Sequence, residues 1–257
     1  MDSRPVGFMD SGLGGVSVLK EARRRLPHEN FLYFGDNGNA PYGDRTDDTI
    51  RRLTAGAVDT LLQCGAKAIV VACNTATAAS IETLRERFPV PILGIEPAIT
   101  PACRLPGDGR ILMLSTASTA KSPRFLALRD RQPDPERVIA VGCPGLVDRI
   151  ERGIFRDDAF DDLLNKHLAP YDGMKIDAIV LGCTHFPFIR GAFQRYAAAH
   201  FAGTPQFFDG AEGISRRLAD ILMKEQLEND TGNASVTLMT SGNIDAVRPL
   251  FEALLNR

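Results

Sequence analysis

Short runs of apolar, mostly β-branched residues alternate along this chain with stretches that have the apolar spacing of a helix. This alternation constrains the fold more than any other feature, because it is typical of parallel sheets whose strands are joined by helices. The pattern predicts strands at residues 6–9, 31–34, 68–72, 91–93, 110–115, 137–141, 176–181, 206–208 and 235–240. It predicts helices at residues 15–26, 47–64, 75–88, 121–131, 146–152, 158–168, 189–199, 211–226 and 244–255. We therefore expect an α/β fold with mainly parallel sheets flanked by helices.

Prolines are densest between residues 89 and 106, and the alternation of strands and helices starts again after them. Such a cluster is typical of a connection between domains. We expect two α/β domains, the first formed by residues 1–97 plus 210–257 and the second by residues 98–209. A length of 257 residues suits two domains of modest size.

A buried strand followed directly by a cysteine occurs twice, about half the chain apart, as AIVVACNT at Ala68–Thr75 and as AIVLGCTH at Ala178–His185. Ligands of parallel α/β sheets bind beyond the carboxyl ends of the strands. A following helix N-terminus stabilises an anion there, including a thiolate. Each cysteine alone is typical of a small buried apolar residue. The matched settings instead favour a functional role for both Cys73 and Cys183.

The five cysteines do not indicate a disulfide framework or a metal site. Their odd number, their wide spacing and the lack of a CxxC pair argue against both. Cys183 and His185 are separated by one residue, which is not a usual zinc spacing, so no metal is predicted. The other three cysteines lack the strand-end setting and are predicted to be packing residues: Cys64, Cys103 and Cys143.

The glycine-rich loop Asp10–Gly15 does not match a dinucleotide fingerprint, because Ser17 stands where the motif requires glycine. We expect its glycines to let the backbone approach a small ligand. Asp10 would then either accept a hydrogen bond from an ammonium group or hold a nearby acid or base.

Two further polar segments follow predicted strands. The loop Gly35–Gly43 is either a solvent turn or, through Asp36, a wall that faces a substrate. The hydroxyl-rich segment 115–122 suits a carboxylate ligand, although helix capping alone could explain two of its hydroxyls.

Charge and hydropathy exclude two classes of partner. The net charge of −2 and the pI near 6.1 argue against a nucleic-acid-binding face. No apolar run approaches the roughly 20 residues that span a bilayer, and no signal-like apolar stretch precedes Asp10. We expect a soluble, cytoplasmic protein that binds neither nucleic acid nor membrane.

Taken together, these motifs resemble those of the glutamate racemases, isomerases that make D-glutamate for bacterial peptidoglycan. The resemblance covers essentially the whole chain and is carried by FMDSGLGGVSVL at 8–19, GDNGNAPYG at 35–43, ACNTATA at 72–78, GIEPA at 94–98, the hydroxyl-rich segment 115–122 and LGCTHFP at 181–187. It implies two pseudo-symmetric domains with the active site in the cleft between them. It also implies glutamate as substrate, no cofactor and a homodimer. His185 favours glutamate over aspartate.

The resemblance further implies a two-base mechanism in which one thiolate removes the α-proton of the substrate and the thiol on the opposite face returns one. Cys73 and Cys183 match the two bases, with the direction of reaction deciding which begins as the thiolate. Asp10 matches a partner of the first cysteine, and His185 a partner of the second. Asp36 and Glu151 match assisting positions. Predicted substrate contacts are Asp10, Ser11, Tyr42, Gly43, Asn74, Thr75, Thr116, Thr119, Thr184 and His185.

Two alternatives stay open. The protein could be a racemase for aspartate or another amino acid, or a small-ligand-binding module whose cysteines are inert. The segment before the first strand is shorter than the extension that some family members use for regulation by a cell-wall precursor, so we expect that control to be absent.

Overall fold

The computed structural model describes residues 1–257, which divide into two compact units. Unit 1 contains Met1–Ile95 and Ala211–Arg257, and unit 2 contains Glu96–Gly210. The strands are β1 (Val6–Asp10), β2 (Phe31–Gly35), β3 (Ala68–Val71), β4 (Ile92–Gly94), β5 (Arg110–Ser115), β6 (Val138–Gly142), β7 (Ile176–Leu181), β8 (Gln206–Asp209) and β9 (Val236–Thr240). Each predicted strand is therefore confirmed to within about two residues.

The α-helices follow the predicted pattern with two differences. They are α1 (Val16–Arg25), α2 (Asp47–Gln63), α3 (Asn74–Arg87), α4 (Ile99–Cys103), α5 (Ala117–Lys121), α6 (Pro123–Asp130), α7 (Leu146–Glu151), α8 (Asp161–Leu168), α9 (Arg190–His200), α10 (Ala211–Lys224) and α11 (Ile244–Asn256). The sequence pattern missed α4, which lies inside the proline cluster. It also missed the short helix α5, because the predicted helix 121–131 corresponds to α6; the two helices separate at Ser122, which the following proline restricts to extended backbone. None of these helices is both long and apolar enough to span a membrane.

All strand pairs are parallel, and the two units share one strand order. The sheet of unit 1 has the order β4-β3-β1-β2-β9, and that of unit 2 has the order β6-β5-β7-β8. When the strands are numbered from the first of each unit and the second sheet is read from β8 to β6, both sheets contain the order fourth, third, first, second. β9 is added beside the second strand of unit 1 and has no counterpart in unit 2. The α/β class with parallel sheets flanked by helices is thus confirmed.

The shared strand order positions the functional sites. From the first strand the chain moves to one side for the second strand and to the other side for the third, so the order reverses between strands one and three. The crevice beyond the carboxyl ends at such a reversal is the usual ligand site of an open α/β sheet. In unit 1 this point lies between Asp10 and Cys73, and in unit 2 between Thr116 and Cys183.

The central strands of each sheet are almost entirely buried, whereas the edge strands β8 and β9 are only partly so. All five residues of β1 are buried, and helices α2 and α3 pack against the core that contains Met9 and Val71. At the amino ends of the strands a buried ion pair joins Lys67 Nζ to Glu29 Oε2 at 2.6 Å. This pair lies at the opposite end of the sheet from Cys73.

The three remaining cysteines differ in exposure. Cys143 is buried and Cys103 is half-buried, as expected for packing residues. The prediction for Cys64 is wrong, because this residue is exposed at the C-terminus of α2. Gly65 follows in the left-handed conformation (φ +84°) that ends the helix there.

Candidate active site

Cys73 is the N-cap of α3. It follows β3 in extended backbone, and its Sγ accepts a hydrogen bond from the backbone N–H of Ala76 at 3.4 Å. Ser11 Oγ lies 3.5 Å from the same sulfur. The side chain is buried, with 6% exposed. A backbone donor and the positive end of a 14-residue helix both stabilise the thiolate form of this cysteine.

Asp10 ends β1 and is fully buried. Its Oδ1 accepts a hydrogen bond from Gly12 N at 2.9 Å. The glycine at position 15 is needed because a Cβ there would lie 2.8 Å from Asp10 Cβ and 3.0 Å from Ala72 Cβ. Gly15 thus lets the start of α1 pack closely around Asp10. From the sequence we had expected the glycines of this loop to let the backbone approach a ligand.

Asn74 and Thr75 form the first turn of α3 and are both buried. The Oδ1 atom of Asn74 is buried without a hydrogen-bond partner. A buried acceptor without a partner costs free energy, so its presence beside Cys73 points to a ligand donor such as an ammonium group.

Asp36 and Tyr42 form a buried pair within the loop Gly35–Gly43. Tyr42 donates its hydroxyl hydrogen to Asp36 Oδ2 at 2.5 Å, and Asn39 Nδ2 donates to Asp36 Oδ1 at 2.9 Å. Burial, the bond to Asp36 and the charge of that carboxylate raise the pKa of Tyr42 far above its usual value, so the phenol stays neutral. Gly43 follows in the short 3₁₀ helix Tyr42–Asp44 and is half-buried. The loop is therefore more than a solvent turn.

His185 links Cys183 to Glu151 in unit 2. Its Nδ1 lies 3.8 Å from Cys183 Sγ, and its Nε2 lies 2.6 Å from Glu151 Oε1. Burial acts to lower the pKa of His185. Hydrogen bonds to Cys183 and Glu151 and the charges of both groups outweigh that effect and raise the pKa well above its usual value. The imidazolium form is favoured, and in that form both ring nitrogens are donors, one facing Cys183 Sγ and the other Glu151 Oε1.

The two sulfurs therefore have different partners. We predicted a helix N-terminus beside both, and the structure places one beside Cys73 only. After Cys183 the chain forms a turn, and the N–H of Phe186 donates to the carbonyl of Cys183 at 3.0 Å, not to its sulfur. The side chain of His185 takes the place of the backbone donor.

The hydroxyl-rich segment of unit 2 caps helices. Thr116 Oγ1 accepts a hydrogen bond from Thr119 N at 3.2 Å at the start of α5, and Ser122 Oγ accepts one from Phe125 N at 3.2 Å at the start of α6. Capping thus explains two of the hydroxyls. Thr119 and Thr184 are both buried, and Thr184 directly follows Cys183.

Two site features were missed by the sequence reasoning. Asn39 is a second donor to Asp36, and the run of amide side chains in GDNGN is the signal that could have indicated it. Cys143 lies close to Cys183, and burial together with the charge of that neighbour raises the pKa of Cys143 to about 12. Cys143 therefore remains a thiol at neutral pH. No group of three His, Cys, Asp or Glu side chains is arranged to hold a metal ion.

Each unit thus places a thiol at the end of a strand with its own polar partner, and a thiol in such a setting is suited to proton transfer at carbon. A family model described as Asp/Glu/Hydantoin racemase matches residues 15–212, and the chain belongs to this family of racemases. Within it, the chain is 44% identical over 229 residues to a glutamate racemase of Clostridium botulinum (strain Kyoto / Type A2), covering 89% of this chain and 86% of that protein.

Solved structures of glutamate racemases share the fold. The Thermus thermophilus enzyme in complex with β-chloro-D-alanine is 35% identical with a TM-score of 0.81, covering 99% of this chain and 94% of that one. The Francisella tularensis enzyme in complex with D-glutamate is 25% identical with a TM-score of 0.87, covering 100% and 95%.

Proposed function

We propose that this protein interconverts L- and D-glutamate through Cys73 and Cys183, without a cofactor. The observation that carries the proposal is the matched position of the two cysteines. Each follows the third strand of its sheet at the point where the strand order reverses, and each sulfur has a dedicated polar partner. Relatives named glutamate racemases at up to 44% identity support glutamate as the substrate.

The proton transfers balance over one turnover. The thiolate of one cysteine takes the α-proton, and the electron pair of the broken C–H bond stays on the α-carbon. The thiol of the other cysteine then gives its proton to the opposite face, and the electron pair of its S–H bond stays on sulfur. The two cysteines have exchanged protonation states, so the enzyme is set for the reverse direction. This mechanism requires one cysteine from each unit to reach the same bound substrate.

In unit 1, the hydroxyl of Ser11 and the Ala76 N–H can hold the negative charge on Cys73 while it acts as a base. Charge-assisted hydrogen bonds of this kind are stronger than those between neutral groups. We assign Asp10, buried at the end of β1, the role of a nearby acid–base partner.

In unit 2, His185 holds the charge on Cys183, and Glu151 keeps the imidazole oriented through its other ring nitrogen. An imidazole fixed in this way presents the same nitrogen to the sulfur throughout turnover. We assign His185 and Glu151 this supporting role. In unit 1 we assign Asp36 the supporting role of holding Tyr42 in place by accepting its hydroxyl hydrogen.

For substrate binding, we propose that the unpartnered Oδ1 of Asn74 accepts a hydrogen bond from the substrate ammonium group. Hydroxyl and backbone N–H donors would bind the two carboxylates. We propose that they come from Ser11, Thr75, Thr116, Thr119 and Thr184 and from the backbone N–H groups of Tyr42 and Gly43, because the Tyr42 hydroxyl is donated to Asp36. Asp10 and His185 complete the predicted contacts.

The cellular role is proposed from the similarity to relatives named glutamate racemases. We propose that the product D-glutamate supplies peptidoglycan synthesis, that the protein acts in the cytoplasm and that it forms a homodimer. Light scattering coupled to size-exclusion chromatography tests the last point, since a monomer mass would contradict it.

The substrate is tested by circular dichroism of L-glutamate and, separately, of L-aspartate incubated with the purified protein without pyridoxal phosphate. We expect the optical signal of L-glutamate to decay to zero and that of L-aspartate to persist. Decay with aspartate alone would support the alternative substrate. Persistence of both signals would contradict racemisation of either acid.

Cys73→Ser and Cys183→Ser test the two bases, and Cys64→Ser is the matched control because Cys64 is exposed outside the site. We expect both site variants to lose racemisation by several orders of magnitude from either enantiomer, because serine is a far weaker acid than cysteine. The control should keep full activity. Retained activity in both site variants would favour inert cysteines and a binding module.

A further inference from the structure

The end of β9 holds the loop that carries Asp36 and Tyr42. Ser241 Oγ accepts a hydrogen bond from Gly38 N at 3.0 Å, and Ser241 N donates to Gly35 O at 3.3 Å. Thr240 Oγ1 accepts from Gly242 N and donates its own hydrogen to Asn37 Oδ1, both at 3.0 Å. Three hydrogen bonds thus cross from β9 to this loop over about 200 positions of sequence.

The contact is close on the loop side. A Cβ at Gly38 would lie 3.0 Å from the carbonyl oxygen of Ser241 and 3.1 Å from its Oγ. Only a glycine lets the loop backbone approach β9 this closely without displacing it.

Inside the loop the same residues lead to the site. Asn37, Gly38 and Asn39 form one 3₁₀ turn, and Asn39 N donates to Asp36 O at 2.9 Å. Asp36 in turn accepts a hydrogen bond from the hydroxyl of Tyr42. On its other side the loop is fixed to β1, since Asp36 N donates to Asp10 O at 2.9 Å. The loop is therefore held between β1 and the end of β9.

Unit 2 shows what the shared strand arrangement looks like without this support. There the second strand, β6, is an edge strand with no neighbour on its outer side. Only Cys143, Pro144 and Gly145 separate it from α7. In unit 1 the loop after the second strand is much longer, and there the second strand has the added strand β9 as its outer neighbour. Phe251 of α11 packs on the ring of Tyr33 in β2, with centroids 5.3 Å apart, and so fixes α11 against the sheet.

We propose that Thr240 and Ser241 are positioning residues for the substrate site, and that the end of β9 serves to hold the loop Gly35–Gly43 in its binding conformation. This inference rests on the proposed function, in which Tyr42 and Gly43 contact glutamate. The two residues touch the loop and not the substrate, so their effect is on substrate binding more than on the chemical step.

The test uses Ser241→Ala, Thr240→Val and their combination. Thr240→Ser keeps the hydroxyl and is the rescue variant. Ser235→Ala is the matched control, because Ser235 Oγ donates to Asn30 Oδ1 at 2.7 Å at the opposite end of β9, also on the surface. We expect the KM for each enantiomer of glutamate to rise about 3- to 10-fold in Ser241→Ala and Thr240→Val, with a smaller change in kcat. Thr240→Ser and Ser235→Ala should keep the wild-type KM.

Hydrogen–deuterium exchange supplies a readout that does not depend on activity. The amide of Gly38 should exchange faster in Ser241→Ala, because it loses its acceptor, and at the wild-type rate in Ser235→Ala. Faster exchange with an unchanged KM would overturn the positioning role, and unchanged exchange would overturn the contact itself. A wild-type protein that does not racemise glutamate would contradict the proposed function, while the exchange of Gly38 would still decide whether β9 holds the loop.

Discussion

At the scale of single residues, His185 is the most informative side chain, because its two ring nitrogens face different groups. Nδ1 faces the sulfur of Cys183 and Nε2 faces the carboxylate of Glu151. The ring is buried, and a buried imidazolium is stable only when acceptors surround it. The raised pKa of His185 is therefore a property of the Cys183–His185–Glu151 arrangement, and it should fall when one acceptor is removed.

Replacing Glu151 with Gln should lower the pKa of His185 and change stability in a pH-dependent way. The pKa of His185 lies above 6.5 in the folded state, so its protonation adds stability that is complete below about pH 6.5. That contribution is lost as the pH rises through the raised folded pKa. We expect the free energy of unfolding to differ most between wild type and Glu151→Gln near pH 6, and less as the pH rises.

Urea unfolding at a series of pH values measures this difference, and NMR of the four histidines reports the pKa directly. Glu82→Gln is the control, because Glu82 forms an exposed ion pair with Arg85 on α3. A stability difference that does not vary with pH would count against the raised pKa.

At the scale of secondary structure, Cys73 has a second role as the N-cap of α3. Serine can replace sulfur as a cap, whereas alanine cannot. We expect Cys73→Ser and Cys73→Ala to lose racemisation equally. Only Cys73→Ala should also lower the free energy of unfolding, by about 1 kcal/mol relative to the serine variant. Cys183 is not an N-cap, so Cys183→Ser and Cys183→Ala should show no difference that arises from capping. Chemical denaturation of the four variants decides the point, and equal stability of both Cys73 variants would exclude the capping role.

Elements were predictable from the sequence because local signals determine them. Buried β-branched runs gave β3 and β7 within a residue of their observed ends. The helix α4 was missed because Pro101 within it and its neighbouring prolines resemble a linker. The resemblance indicated His185 as the partner of Cys183, but the helix N-terminus expected beside both sulfurs lies beside Cys73 only, because the sequence after each cysteine begins with similar polar residues.

At the scale of the whole chain, long-range polar contacts determine what local patterns cannot. The bond between Gly38 and Ser241 joins positions 203 apart, and neither residue belongs to a recognisable motif pair. The ion pair of Lys67 and Glu29 is a second case. Lys67 Nζ also donates to Asp2 O at 2.7 Å, and Glu29 Oε1 accepts from Asn229 N at 2.8 Å. The pair thus joins the first residues of the chain to the segment that precedes β9.

Lys67→Met should lower the free energy of unfolding by about 3–5 kcal/mol, because it leaves the carboxylate of Glu29 buried without its cation. The double variant Lys67→Met/Glu29→Leu should recover part of this loss, since no charge then remains buried. Lys175→Met is the matched control, because Lys175 pairs with Asp108 on the surface and should leave stability unchanged. Urea unfolding measures all three, and a double variant less stable than Lys67→Met would contradict this account.

The unequal surroundings of Cys73 and Cys183 have a consequence for kinetics. L- and D-glutamate have equal free energies in water, so a catalyst that interconverts them must leave a racemic mixture. The ratio kcat/KM must then be identical in the two directions, whatever stabilises each sulfur. A helix terminus on one side and an imidazolium on the other can therefore make kcat and KM differ between the two enantiomers, but they cannot make kcat/KM differ. The enantiomer with the lower KM must therefore also have the lower kcat, by the same factor.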